Sequence, residues 1–534
     1  MKKVPLALRD DGFSWLYEIE PPCTPEVIWE KCVDFLSSDD IQIKEVGIGA
    51  GEARNYGTKY GDILGEDNVM WKIPQEFIKK IEENCDTVEG VTAVYNEFKK
   101  TEFGQKSWLR IGDFRAMANI RYLIKRGTDA FRVQCERAHG KGMKVWARQE
   151  MRTALPNRFR GRADLVIPNT NRWTFAKEEM RAYQIEILVE AVERGADGVS
   201  LDFCVYPPYL AEPQNEYGCI TQFFRDLRSR LRKDFDKKID VIVRLPYKPE
   251  QYGLMWKDWV DESLVDVIIP SVILPGEMFD VPIGEYVSYV KGKECKVFGC
   301  IRPKFTNIDP DPQAGDEEKG IFRLNRGVTE ENERARAALL LSAGADGLEI
   351  AIGSAKRYNP DIPLGAAADS DQWKPRYAKL NNLENIQEKD KTYPLVNNSI
   401  FSVVLNSGES VVSPFRIADK ISEVSNKVTT FVCPIVRALK EGETLKVSLN
   451  GNEITLDSKT LVGNMEEPTT FDHKRGCKAD TVHFGKDWWT KGRKSIQVPP
   501  TYFREWDNEI TFTYYGNDPL EIVDVDVDVL YGEK

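Results

Sequence analysis

The clearest structural signal in this 534-residue chain is the run Gly195–Phe203, with the sequence GADGVSLDF, whose first part recurs as GADGL at Gly344–Leu348. In each copy a glycine follows a helical pattern at the position where helices commonly end, and a short apolar run begins directly after it. A helix that stops at a glycine and leads at once into a buried strand is typical of folds built from βα units. The two copies therefore predict repeated βα units around a parallel sheet.

Before residue 355 the sequence predicts eight strands. Helical patterns separate most of them, and the clearest spans Ala182–Glu193 with a 3.6-residue period. Eight parallel strands close a (β/α)8 barrel, which is the fold expected for residues 1–355. The predicted strands are Phe13–Glu20, Ile43–Gly49, Met143–Glu150, Gly198–Phe203, Ile239–Leu245, Val265–Ile269, Lys296–Ile301 and Gly347–Ile352.

An open, doubly wound sheet is the alternative α/β fold. Its nucleotide-binding signature is incomplete here: Gly47–Gly51 follows a predicted strand, but Glu52 stands where the pattern G-x-G-x-x-G needs its last glycine. The sequence therefore favours the closed barrel.

The pattern changes after the barrel. Residues 356–397 are rich in Pro, Asn, Asp and Lys without sustained periodicity, which predicts the barrel exit and a linker. Residues 398–534 contain segments that alternate apolar and polar residues, and Leu449–Asn452 (LNGN) supplies a hairpin turn. The expected architecture is thus an α/β chain with a (β/α)8 barrel followed by an all-β sandwich domain.

Composition restricts the classes of partner. The formal net charge of −11 repels nucleic acid and anionic membranes, so neither is expected as a partner. The ten cysteines include no C-x-x-C pair and are expected to be free buried thiols. The chain has three histidines, and His473, Cys477 and His483 lack the spacing of a tetrahedral metal site, so a surface loop is expected there.

The location of the protein is left between two alternatives. No stretch of about 18 apolar residues is present, so no membrane span is expected. The start Met1–Asp11 has a charged tip but no apolar core of useful length. The chain is expected to be either cytoplasmic or, by preference, the mature form of a periplasmic or secreted protein whose signal peptide has been removed.

Asp202 is the leading candidate for chemistry. It ends the fourth predicted strand, and active sites of (β/α)8 barrels lie at the carboxyl ends of the strands. The loop that follows, Phe203–Tyr209 (FCVYPPY), is aromatic and stiffened by proline. A carboxylate beside aromatic rings suits sugar chemistry, because it can stabilise an oxocarbenium-like centre while the rings hold the sugar. The alternative role is a strand-end aspartate that caps its loop.

The same stretch resembles the fourth-strand signature of bacterial family-10-like glycosyl hydrolases. Ala138–Met143 (AHGKGM), Arg244–Pro246 (RLP) and Tyr56–Gly61 (YGTKYG) agree with this resemblance, which spans most of residues 40–350. The resemblance implies a barrel that hydrolyses glycosides, often with an appended β-sandwich. One position departs from the pattern, because Val205 stands where the family has an arginine three residues after the aspartate.

Hydrolysis of a glycoside needs a second carboxylate as acid or base. Glu150 ends the third predicted strand. Glu349 lies within the eighth strand, level with Ser200 and one inward-facing layer below Asp202 when the two repeats are aligned. A carboxyl at that depth would be desolvated, as an acid catalyst requires, and a salt bridge to an arginine is the alternative role for Glu349. The catalytic candidates are therefore Asp202, Glu349 and Glu150.

Arginines are predicted to crowd the same end of the barrel. Arg148, Arg152, Arg244 and Arg302 lie in or directly after predicted strands. In a chain of negative net charge they indicate an anionic ligand, such as a uronate or a sulfated glycan, although each single arginine can instead pair with an acidic neighbour. Three aromatic residues complete the predicted substrate-binding set: Trp146, Tyr206 and Tyr209.

These observations lead to a glycoside hydrolase that acts on a polysaccharide or oligosaccharide, including anionic ones, through two carboxylates. Neither a metal nor another cofactor is expected. A non-catalytic glycan-binding barrel is one alternative. A metal-dependent aldolase or lyase is another, and it is disfavoured because His139 alone is available in the barrel as a histidine ligand. The oligomeric state does not follow from the sequence.

Overall fold

The computed structural model of the protein describes residues 3–10, 12, 14–50, 53–64, 73–105, 108–151, 155–205, 207–273, 278–302, 304–306, 325–327, 329–351, 379–395, 403–437, 439–457, 491–493 and 495–532. Six residues singled out by the sequence lie outside these ranges: Glu52, Arg152, Tyr206, His473, Cys477 and His483.

The first part of the chain forms a closed barrel of eight parallel strands, which confirms the predicted fold class. The strands follow one another around the barrel in chain order, and the first pairs with the last from Leu6–Leu348 to Arg9–Ala351. The barrel strands are β1 (Leu6–Asp10), β2 (Ile43–Gly47), β3 (Lys144–Glu150), β4 (Gly198–Asp202), β5 (Asp240–Leu245), β6 (Val267–Pro270), β7 (Lys296–Ile301) and β8 (Gly347–Ala351).

Helices cover the outside of the barrel. Five of them fall between β2 and β3. The rings of Phe77, Tyr95, Phe98 and Phe114 pack together there. No helix in the described part of the chain is long and apolar enough to cross a bilayer. The helices are α1 (Pro25–Ile28), α2 (Gln75–Asn84), α3 (Val88–Lys99), α4 (Glu102–Gln105), α5 (Trp108–Lys125), α6 (Ala130–Gly140), α7 (Glu178–Glu193), α8 (Pro213–Glu216), α9 (Gly218–Asp234), α10 (Trp256–Asp261), α11 (Gly284–Val290), α12 (Glu330–Ser342) and α13 (Leu383–Ile386).

The prediction of the first strand is wrong. The strand is Leu6–Asp10, whereas Ser14–Tyr17, inside the predicted strand Phe13–Glu20, is a 3-10 helix. All five residues of β1 are buried, although its last two are charged. Their charges are neutralised by residues distant in sequence, since Arg9 pairs with Asp202 and Asp10 pairs with Lys44. The two charged residues at the end of β1 therefore made this buried strand unrecognisable from the local sequence.

The aspartate of the GADG repeat ties each strand to the strand before it. The carboxylate of Asp197 accepts a hydrogen bond from the Val145 amide at 2.9 Å, and the Asp197 amide donates to the Val145 carbonyl at 2.7 Å. Asp346 makes the same pair of bonds with Val297, at 3.0 and 2.7 Å. The repeat thus closes the amino-terminal end of the barrel in the same way at β4 and at β8.

The two glycines of the repeat have different roles. Gly195 and Gly344 have φ angles of +118° and +95°, which glycine adopts without strain directly after a helix. Gly347 leaves space for a neighbouring side chain, because a Cβ there would lie 2.5 Å from the Phe298 ring on the adjacent strand. Gly198 stands in the same relation to Trp146, with a corresponding distance of 2.7 Å.

Inward-facing side chains fill the barrel in two kinds of layer. The amino-terminal half is apolar, and Trp146 packs on Phe298 with ring centroids 5.8 Å apart. Toward the carboxyl ends the inward positions become charged. They hold Arg9, Glu45, Arg148, Asp202, Arg244 and Glu349, all buried.

The second part of the chain is a sandwich of two antiparallel sheets. One sheet has the order β9-β18-β12-β15, with β10 beside β18 and β16 beside β12, and the other has the order β11-β17-β13-β14. The strands are β9 (Lys391–Pro394), β10 (Val403–Leu405), β11 (Ser410–Ile417), β12 (Val428–Arg437), β13 (Thr444–Leu449), β14 (Asn452–Asp457), β15 (Lys491–Arg493), β16 (Ile496–Val498), β17 (Trp506–Tyr515) and β18 (Leu520–Tyr531).

The sandwich begins earlier than predicted. Lys391–Pro394, inside the expected linker 356–397, forms β9 and pairs with β18 from Lys391–Val529 to Pro394–Asp526. The reason is a long-range one, because β9 is stabilised by a strand some 130 residues further along the chain, and the surrounding Asn, Asp and Lys residues hide it locally.

The sandwich packs directly on the barrel. The side chains of Phe279, Ala335 and Leu339, which belong to the barrel part, join the apolar core of the sandwich. Arg416 of β11 donates to Asp280 at 2.6 Å across the junction. The side chain of Asn332 on α12 donates to the Thr392 carbonyl of β9 at 2.9 Å. Apolar, ionic and backbone contacts therefore hold the two parts together.

Candidate active site

Asp202 lies at the carboxyl end of β4, as predicted, and faces into the barrel. Its Oδ2 atom accepts from Arg9 Nη2 at 2.7 Å and lies 3.5 Å from Arg148 Nη1. Its Oδ1 atom accepts from the Cys204 amide at 2.9 Å. The carboxylate is 1% exposed, and two guanidinium groups offset the cost of burying its charge.

Glu150 lies beside Asp202 on the neighbouring strand. The two residues are register partners in the β3–β4 pair, so both side chains reach the mouth of the barrel at the same level. Arg148 Nη1 lies 3.5 Å from Glu150 Oε1 as well as 3.5 Å from Asp202 Oδ2. The two oxygens are therefore no more than about 7 Å apart, a limit that allows the carboxyl separation of about 5–5.5 Å found in retaining glycosidases. The Glu150 side chain is 19% exposed, more than that of Asp202.

Glu349 has the salt bridge that was the alternative to a catalytic role. It is fully buried, and its Oε1 atom accepts from Arg244 Nη1 at 3.2 Å and lies 3.6 Å from Arg9 Nη1. Among the described residues its Oε2 atom has no hydrogen-bond partner. Arg9 contacts both Glu349 and Asp202, so it links the two carboxylates.

Two further members of the charged layer were not predicted from the sequence. Arg9 on β1 contacts both Asp202 and Glu349. Glu45 on β2 is 1% exposed and accepts a hydrogen bond from the Ser200 hydroxyl at 2.6 Å. Burial and, to a smaller extent, the nearby Glu349 carboxylate raise the pKa of Glu45 to about 8, against the opposite effect of Arg9, Arg148 and the Ser200 hydrogen bond. In each strand a second charged residue is adjacent, Asp10 in β1 and Lys44 in β2, so the sequence carried no local signal that Arg9 and Glu45 are buried.

The predicted arginines are buried and engaged with neighbouring groups. Arg244 Nη2 donates to the Ser271 hydroxyl at 2.8 Å and lies 2.9 Å from Cys300 Sγ. Arg302 is buried directly after β7, and its carbonyl accepts from Arg336 at 3.0 Å. Arg148 lies between Asp202 and Glu150, as described above. Internal carboxylates thus compensate much of the positive charge that the sequence indicates.

Two predicted substrate contacts are core residues instead. Tyr209 is buried, its hydroxyl donates to the Phe203 carbonyl, and its ring packs edge-on against Phe203 at 5.1 Å. Trp146 lies in the apolar layer below the charged residues. Neither ring presents a face to the mouth of the barrel, so their predicted stacking role is not supported. Large apolar side chains in a barrel are most often buried, which explains both differences.

Other reactive groups near Asp202 are few in the part of the chain that the structure describes. Burial raises the pKa of the Cys204 thiol well above its usual value, and Asp202 raises it further, so this thiol is a poor nucleophile at neutral pH. Within the described ranges no group of three histidine, cysteine or acidic side chains is placed to hold a metal ion. The chemistry available from these residues is that of carboxylates beside arginines.

Comparisons with known proteins found only distant structural similarities. No family model matches the chain, and no curated protein matches it. A maltogenic α-amylase from Thermotoga neapolitana is similar with a TM-score of 0.33 and 10% identity, both chains being covered in full. A family 5 glycoside hydrolase from Bacteroides vulgatus has a TM-score of 0.34 and 11% identity over 96% of this chain and 89% of that one.

A third similar structure is longer than this chain. The cycloisomaltooligosaccharide glucanotransferase of a Paenibacillus species has a TM-score of 0.33 and 8% identity, with 99% of this chain but 57% of that one covered. At such low identities and TM-scores these similarities assign neither a fold nor a function to this chain. Function is therefore inferred from the site itself.

Proposed function

We propose that the protein is a glycoside hydrolase that cleaves glycans with Asp202 and Glu150. The observation that supports this most strongly is their geometry: they end adjacent barrel strands at the same level and share Arg148. Two carboxylates at this separation, on the functional face of a barrel, are the minimal machinery for breaking a glycosidic bond.

The surroundings of the two groups suggest their roles. Glu150 is 19% exposed and can therefore exchange protons with solvent between turnovers, so it is assigned the general acid that gives its proton to the leaving-group oxygen. Asp202, held by Arg9 and Arg148, is assigned the carboxylate that stabilises or attacks the anomeric carbon as the glycosidic bond breaks. A water molecule then supplies the hydroxyl group of the product, and its proton returns to Glu150.

The substrate is proposed to be a polysaccharide or oligosaccharide that carries an anionic group, such as a uronate or a sulfate. Arg148, Arg244 and Arg302 support this assignment, because guanidinium groups bind carboxylates and sulfates in a forked geometry. Glu349 is assigned a positioning role, since it orients Arg244 and Arg9.

The variant Asp202→Asn tests the proposal. Asn is nearly isosteric, so the fold should be retained while the charge that faces the transition state is lost, and turnover should fall by several orders of magnitude. Asp10→Asn is the matched control, because Asp10 also ends a barrel strand but pairs with Lys44 outside the barrel interior. Its melting temperature should fall while turnover per folded molecule stays near wild type.

The measurement is release of reducing sugar from a panel of neutral, uronate and sulfated glycans, with circular dichroism as the check of folding. Near-normal turnover by Asp202→Asn would make Asp202 a structural residue and reject the proposed mechanism. Glycan binding without turnover by the wild-type protein would favour the non-catalytic glycan-binding alternative, which the 1% exposure of Asp202 also favours.

A further inference from the structure

Glu45 is a buried carboxyl group that forms no ion pair with the described residues. One oxygen accepts from Ser200 at 2.6 Å, and the other has no hydrogen-bond partner in the described part of the chain. Arg9 and Arg148 favour its charged form from a longer distance, but their close contacts are with Asp202, Glu150 and Glu349. An ionised carboxylate in such a place would be costly, so the neutral acid is the favoured form.

The charged side chains around Glu45 come from several barrel strands. The barrel interior contributes three arginines, Arg9, Arg148 and Arg244, against two other carboxylates, Asp202 and Glu349. At the same level β6 and β7 contribute the uncharged side chains Ile269 and Cys300. At the rim, Glu150 and Arg302 add one charge of each sign. With Glu45 neutral, these described groups therefore hold one positive charge in excess.

We propose that Glu45 acts as a neutral acid that leaves the described groups of the barrel interior with one positive charge in excess. The site then prefers a sugar with an anionic group, and ionisation of Glu45 abolishes this preference. The inference rests on the proposed function, to which it adds a source for the anion preference and a pH control. Glu45 is a positioning residue in this scheme and does not touch the substrate. Burial places its pKa at about 8, so the preference should be lost in mildly alkaline solution.

The test compares binding of D-glucuronate and D-glucose to the full chain between pH 6 and pH 10. One charge about 10 Å away, at an effective dielectric constant of about 20, changes the affinity for an anion roughly tenfold. Wild type should therefore lose about tenfold of its preference for glucuronate over glucose as the pH rises through 8. Glu45→Gln, which imitates the neutral acid, should keep the preference at all these values.

Ser200→Ala is the second variant, and it remains informative if Glu45→Gln fails to fold. The Ser200 hydrogen bond lowers the pKa of Glu45, so its removal should move the loss of preference to higher pH. Glu443→Gln is the control, because Glu443 is a buried carboxyl of the sandwich that accepts from Tyr514 at 2.6 Å. Its profile should match wild type.

Infrared spectroscopy provides a readout that is independent of binding and activity. Wild type should show a protonated carboxyl band that disappears above pH 8 and is absent from Glu45→Gln. No glucuronate preference at any pH, the same pH profile in Glu45→Gln, or no such band would overturn the inference. A chain that shows the band and the preference but cleaves no glycan would reject the proposed function alone.

Discussion

Glu150 is the residue at which the proposed acid chemistry can be tested apart from the rest of the site. Glu150→Gln removes the proton that the leaving group needs, so hydrolysis of alkyl glycosides or natural glycans should slow by about 10²–10⁴-fold. A dinitrophenyl glycoside of the same sugar leaves without protonation and should be cleaved at close to the normal rate. The measurement is the ratio of initial rates on the two substrates.

The control for this prediction is Glu136→Gln, an exposed position on α6. It should leave both rates unchanged. An equal loss of activity on both substrates in Glu150→Gln would assign Glu150 to substrate binding instead, and no loss on either would remove it from the mechanism.

At the residue level the sequence could predict site residues at strand ends, and Glu349 within a strand only because the repeat aligns it with Ser200. Asp202 and Glu150 lie at the carboxyl ends of β4 and β3, so their position at the mouth of the barrel could be predicted from the sequence. Glu45 lies within a strand and is stabilised by Ser200, 155 positions away in sequence, so nothing near it in the chain reports its environment. Arg9 was missed for the same reason, since its partner Asp202 is equally remote.

The direction of an aromatic side chain was also beyond sequence reasoning. Tyr209 follows β4 in a loop where a sugar platform is plausible, yet its ring turns inward and packs against Phe203. The same pattern of aromatic residues suits a core and a platform alike, and burial decides between them only when neighbouring strands are in place.

At the level of elements, the length and the boundaries of the apolar runs explain why most strand predictions agree with the structure and why the first does not. Asp240–Leu245 and Lys144–Glu150 lie within the predicted ranges because their apolar runs are bounded by polar turns. The strand β1 has only three apolar residues, Leu6–Leu8, before the charged residues Arg9 and Asp10. It is defined by pairing with β2 and β8, and this closure is a property of the complete barrel.

The packing role of the repeat leads to a prediction for β8. In Gly347→Ala the new methyl group would meet the Phe298 ring at 2.5 Å, and this buried ring has little space to move. Overpacking of this kind costs about 1–3 kcal/mol, so the free energy of unfolding should fall by that amount. Urea denaturation followed by tryptophan fluorescence measures the change.

Gly140→Ala is the matched control for this variant, because a Cβ at Gly140 would meet no atom within 4 Å. Its stability should stay within error of wild type. Equal stability of Gly347→Ala and wild type would show that the fourth position of the repeat tolerates a side chain. The amino-terminal half of the barrel would then be loosely packed.

For the whole molecule, the junction between barrel and sandwich determines whether the two parts unfold together. The side chains of Phe279, Ala335 and Leu339 belong to the barrel chain yet lie in the sandwich core, so separating the parts would expose apolar surface on both. Asn332 and Arg334 of α12 also donate to carbonyls of the β9 region. We therefore expect one cooperative transition for the two parts.

The ion pair between Arg416 and Asp280 allows this coupling to be tested by pH. Burial raises the pKa of Asp280, and Arg416 opposes that shift by stabilising the charged form. In Arg416→Met the carboxylate must stay buried without its partner or take up a proton. A group whose pKa is raised in the folded state loses stability as pH rises through that pKa, so the variant should be destabilised more at pH 8 than at pH 4.

At pH 8 the loss should be roughly 2 kcal/mol, between the values typical of exposed and of fully buried pairs. Differential scanning calorimetry should show one transition shifted to lower temperature, because barrel and sandwich share an apolar core and the Arg416–Asp280 pair joins them across the same junction. Lys427→Met, which breaks an exposed pair with Glu388 at the same junction, should change little at either pH. Two separate transitions in Arg416→Met, with the barrel transition unmoved, would show that the sandwich is only tethered to the barrel.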